Sequence, residues 1–235
     1  MNDVDSGWTP LDAYHRFCIR HVASNLNTHI KNVEVKKLFI ATAFQRKRQK
    51  ASKGLRRIRH MSEQAFAYIS EMDKEKWSIA FDGGHRYGYA TTNMAEVFNG
   101  VMKGARFLPV AAIVELTFYR VNKWFVKKRE IARERLASNH PYTVYVERKL
   151  EANRRKARYH SVEPFDITNG KYEVTTGKGE RIERKGGKRY TVNFSNRTCT
   201  SKKVRVFHYP CSHVLAVCST YSLSEHFCRS AFSHN

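Results

Sequence analysis

Cys199, Cys211 and His213 are the residues best suited by type and spacing to do chemistry. Cys211-Ser212-His213 follows Pro210 directly and precedes the apolar run Val214 to Cys218, and Cys199 lies twelve positions upstream of Cys211. Thiolate and imidazole are the donors that zinc prefers, and a structural zinc site takes four of them in a tetrahedron. A helix beginning at this point would favour thiolate charge at its positive end. Three donors stand well, and the fourth is open. Ser201 offers a neutral hydroxyl that ionises with difficulty. His208 is a better ligand type, but its reach depends on the intervening loop. Cys218 lies about 10 Å from Cys211 along a helix rising ~1.5 Å per residue, too far to share one ion. A water completes many three-ligand sites. The plain alternative is two buried cysteines and a surface histidine. Cys18-x-x-His21 is a second pair with metal-like spacing, but one pair is half a site. Its i, i+3 spacing places both beside Phe17 and Val22, as expected of a packed core pair.

The elements that must hold these residues are legible in outline. Tyr172 to Thr176 and Arg189 to Phe194 alternate like two strands, joined by a Gly- and Lys-rich turn. Two strands alone are marginal in water, so a metal or packed helices must support them. Before them the pattern is helical. Phe17, Val22, Leu26, Ile30, Val35, Leu38 and Ile40 suit helices packed on one face. Gln45 to Arg59 reads as an exposed, partly helical basic face. Ser62 to Trp77 reads as one amphipathic helix burying Phe66, Ile69 and Met72, and Gly83-Gly84 marks a loop. Met94, Val97, Phe98, Val101, Met102 and Ala105 define one apolar face around Glu96. The helix after Pro109 is expected to turn Val110, Ile113, Val114, Phe118, Val121, Trp124 and Phe125 inward and to end near Ser138 to Pro141. Val144 to Tyr159 reads as a further basic helix.

Charge narrows the partners. Against 21 Asp+Glu stand 43 Lys+Arg, a formal net charge of +22. Such an excess repels itself and is most simply matched by a polyanion, so DNA is the expected partner, bound electrostatically. Residues 36–60 hold ten Lys/Arg and no acid, and 120–160 and 178–205 are also basic. Phosphate contacts of this kind carry no sequence information. No apolar run reaches transmembrane length, no signal-peptide core is present, and no apolar anchoring face accompanies the charge, so a membrane is not expected. Five cysteines, an odd number without a secretory signal, point to a reducing compartment rather than a disulfide framework.

The C-terminal frame Cys199-Thr200-Ser201, spacer, Cys211-Ser212-His213 resembles the SWIM zinc finger, in which residue 201 would be the second cysteine. Tyr14 to Asn25, which holds Cys18-x-x-His21, is similar to a segment of plant Mutator-like transposases. Asn93-x-x-Glu96-x-x-Asn99 is similar to the element of those enzymes that carries their third catalytic acid, and Lys103 to Pro109 follows the same pattern. The resemblance spans roughly residues 8–220. It implies an α+β, mainly α fold, a helical remnant of an RNase H-like catalytic region followed by a β-hairpin-plus-helix zinc module. The implied boundaries are a tail at 1–13, a helical region at 14–160, the finger at 170–220 and a tail at 221–235. It implies zinc as cofactor, held by Cys199, Cys211 and His213 with Ser201 at the fourth position, and a plant nuclear protein bound to DNA. A protein partner gripped by the finger is the alternative. The first two catalytic aspartates of that family would lie upstream of this sequence, and Asp3, Asp5 and Asp12 match neither. Glu96 is thus expected to be a stranded third acid without activity, capping its helix together with Asn93. The alternative is the C-terminal part of an active phosphodiester-transferring transposase, since two-metal chemistry needs several convergent carboxylates.

Overall fold

The structure is a computed structural model that describes residues 14–91, 100, 103–177, 187–223, 228 and 232. Glu96, Asn93 and Asn99 lie outside the described residues. The chain forms two compact units, Met1–Thr91 with Ala152–Asn235, and Thr92–Glu151. Residues 92–151 are thus a unit of their own within the helical stretch, and 152–160 go with the sheet that follows.

In the first unit, α1 (Ile19–Ile30), α2 (Val33–Ala43), α3 (Arg48–Met61), α4 (Glu63–Ser70) and the short α5 (Lys74–Trp77) surround one apolar core. Asn32 caps α2 by accepting from the amides of Glu34 and Val35, and Ser62 caps α4 through the Ala65 amide. The expected single helix from Ser62 to Trp77 is therefore two, broken after Ser70. In α3, Ala51, Leu55 and Ile58 face the core, while Lys50, Lys53, Arg56, Arg57 and Arg59 are exposed. Cys18 is buried ahead of α1, but His21 is exposed, so that pair does not share an environment. An i, i+3 offset turns a side chain about 60° around the helix, enough to carry the second residue off a narrow buried stripe.

A second core lies under a four-stranded antiparallel meander, β1 (His160–Asp166), β2 (Lys171–Thr176), β3 (Arg189–Asn193) and β4 (Thr198–Cys199). The two expected strands pair with Tyr172 opposite Val192 and Val174 opposite Tyr190, and β1 and β4 extend them on either side. Tyr172 and Val174 alternate inward, as one covered face demands. Two further helices, α8 (Lys203–Phe207) and α9 (Ser212–Thr220), follow those of the second unit in chain order, the latter packed on the sheet. The class is α+β and mainly helical.

The second unit contains a 3-10 turn (Lys103–Phe107), α6 (Val110–Ala137) and most of α7 (Val144–Ala157). Arg135 fastens the turn between the helices, donating to the Tyr142 carbonyl and pairing with Glu147 at 2.7 Å. The inward stripe expected of α6 is not found. No residue of the helix is buried, and Val110, Val114, Phe118 and Phe125 are all exposed. Periodicity specifies an apolar face but not a neighbour to cover it.

Candidate metal centre

Cys199 stands on the short edge strand β4, Ser201 in the turn that follows, Cys211 at the N-cap of α9 and His213 in its first turn. Antiparallel pairing of Val192 with Cys199 holds the first ligand over the sheet. Asn153 of α7 donates to the Pro210 carbonyl at 3.0 Å and fixes the turn that delivers the other two. All four side chains are buried.

The three donor atoms of Cys199, Cys211 and His213 lie within 4.8 Å of one another, a group that could hold a metal ion. His213 Nδ1 is 3.5 Å from each sulfur. Ser201 Oγ completes the cluster, 3.2 Å from Cys199 Sγ and 3.8 Å from Cys211 Sγ. A hydrogen bond from Cys199 draws the Cys211 thiol well below its ordinary pKa against the opposing effect of burial, and contacts with His213 and the Val214 amide help. The same hydrogen bond to Cys211, with burial, pushes the Cys199 thiol up. A cation bound between them would favour the thiolate form of both.

The imidazole of His213 is held by rings on its outer side. Tyr190 stacks on it at 4.1 Å and His160 lies 5.4 Å away, nearly parallel, with its Nε2 3.1 Å from Ser212 Oγ. Burial and the neighbouring His213 lower the His160 pKa. Lys203, at the start of α8, is lowered by burial, opposed by the Cys211 charge and reinforced by Arg46 and Lys156.

Two other fourth-ligand candidates are elsewhere. His208 turns away, its Nε2 bonded to the Gly84 carbonyl at 3.0 Å. Cys218 is joined to Cys228 in a disulfide, a pairing that the odd cysteine count did not suggest. His208 has a packing reason. Residues 205–208 dock on the loop that follows α5, where Arg205 donates to the Ala80 carbonyl at 2.9 Å. Gly84, at φ 103°, lies so close that a Cβ there would collide with the Arg205 carbonyl, and one on Gly88 would collide with Phe207. Sequence reasoning missed this docking; the paired glycines were its only local signal. Comparison of the chain with protein-family models, with curated proteins and with solved structures finds no match in any of the three.

Proposed function

We propose that this chain is a zinc-binding, DNA-binding protein derived from a Mutator-like transposase and without catalytic activity of its own. The observation that carries the metal reading is the geometry around His213. Zinc–thiolate bonds of ~2.3 Å and zinc–imidazole bonds of ~2.0 Å at a tetrahedral angle separate sulfur from nitrogen by about 3.5 Å. Both observed separations are 3.5 Å. The Ser201 oxygen faces the same centre, so the fourth place is filled by a weak neutral donor or by a water beside it. Zinc would supply a structural tie between β4 and α9. DNA binding is supported by the net charge of +22 and by the exposed cations along α3.

One substitution and one titration test the two halves. Ser201→Cys should raise zinc affinity at least tenfold in competition with a chromophoric chelator, and Cys211→Ser in that background should abolish the gain. Equal affinity in wild type and Ser201→Cys would sink the idea of a weakened site. Duplex DNA binding should fall with salt, log K declining by about 0.9 per phosphate neutralised. Absence of binding at low salt would favour the protein-partner alternative.

A further inference from the structure

Beside the metal cluster, within the same compact unit, lies a cavity of about 520 Å³, inside the size range of small-ligand sites. Its walls come from the last turns of α7, the start of β1, Tyr190 of β3, Lys203 and the first residues of α9. Arg155, Lys156, Lys203 and His160 line it, and its lining holds no Asp or Glu. None of the three permanent cations has a carboxylate within ion-pair distance among the described residues, although α7 and β2 carry carboxylates paired elsewhere. Gathering cations without acids costs repulsion, which an anionic ligand would relieve.

Two aromatic features say what kind of anion. Tyr190 has its ring occupied, with His213 stacked on it and Lys47 Nζ 5.5 Å from its centroid. Tyr159, also on the wall, is 45% exposed and offers a ring to solvent. Lys47 is the N-cap residue of α3, so the exposed cations of that helix begin where the cavity ends. A cationic track with an exposed ring at one point matches a nucleic-acid strand whose bases are unstacked. A duplex keeps its base faces covered and cannot use such a ring.

We propose that this cavity binds a phosphodiester of single-stranded nucleic acid, with the adjoining base stacked on Tyr159 and the next phosphates led toward α3. The proposal rests on the nucleic-acid reading above and adds to it a strand preference and an anchoring point.

Fluorescence anisotropy of the full zinc-loaded chain with a labelled 15-nucleotide thymidine strand and a 15-base-pair duplex, over a salt series, is the test. The pair Arg155→Gln, Lys156→Gln should weaken single-strand binding at least tenfold and flatten the salt slope by about 0.7, the one phosphate that the cavity holds. Tyr159→Leu should weaken single-strand binding about 5- to 100-fold and move duplex binding less than twofold, while Tyr159→Phe should keep wild-type affinity. Unchanged melting and zinc content show that these variants are folded. Wild-type single-strand binding that survives the cavity variants, but is lost in Lys53→Gln, Arg56→Gln, would overturn the cavity proposal and leave the wider reading standing. Failure of wild type to bind either probe would sink both.

Discussion

Helix α9 runs nine residues and hides seven consecutive ones, Ser212 to Cys218, whereas α6 runs 28 residues and hides none. Composition accounts for part of the contrast: α6 carries Val110, Val114, Phe118, Tyr119, Trp124 and Phe125 but sets them among many charged residues, whereas α9 holds no Lys, Arg, Asp or Glu. The surroundings differ as well. The sheet, Cys228 and Phe232 contribute to the core that α9 enters, and Cys199 meets Cys211 and His213 at its first turn. Its polar residues are buried only because partners meet them: Ser212 Oγ has His160 and His213 has two sulfurs. Burying a valine fully contributes roughly 1.5–3 kcal/mol, and α9 does so with both Val214 and Val217. Helix α6 depends on its own hydrogen bonds and the Arg135 fastening, which is how a long helix persists with little burial.

The largest expected effect comes from attacking the tie at the start of α9. Structural zinc is worth ~10–16 kcal/mol of apparent binding energy in finger peptides, and that energy is coupled to folding. Cys211→Ser, or wild type treated with a strong chelator, should therefore abolish slow amide exchange across β3, β4 and α9 while leaving α6 as it was. Equal exchange with and without metal would show that packing alone holds α9. A middle-sized effect is expected from Val217→Ala, which empties a fully buried position. Thermal or denaturant unfolding should register a loss of about 2 kcal/mol, by analogy with other aliphatic truncations in cores. The smallest belongs to α6. Phe118→Ser removes a side chain that is 63% exposed and should move stability by no more than about 0.5 kcal/mol. A cost near that of Val217→Ala would mean that something covers this face in solution.

The residues of the metal cluster were legible because ligand chemistry is local: residue type, spacing, a proline and the following apolar run travel together in Pro210 to Cys218. The strand pair was legible for a similar reason, Tyr172 and Val174 alternating toward one covered face. Strand β1 was hidden. It is mostly exposed, holds Pro164 and shows no apolar alternation, as edge strands often do not. The fate of α6 was also beyond reach, since its periodicity states which side is apolar and nothing about neighbours. His208 shows the same limit at one residue. Its ligand type was right, but the Gly84 carbonyl, 124 residues away in sequence, had already claimed its nitrogen. The loop from Ser78 to Ala90 was read only as a glycine break, although Ser78, Ile79, Ala80, Asp82 and Arg86 are all covered.

That loop is roofed by α8, whose five residues serve both cores at once, Val204 in the sheet core and Val206 in the helical one. Arg205 and His208 clasp the loop's carbonyls at Ala80 and Gly84. On the metal-binding reading proposed above, an ion held only by the folded Cys199, Cys211 and His213 cluster would shift every equilibrium that cluster shares, and its chemical potential would reach the loop as well. Residues 78–90 hold no donor of the metal cluster, yet how long they stay closed should follow the concentration of free metal around them.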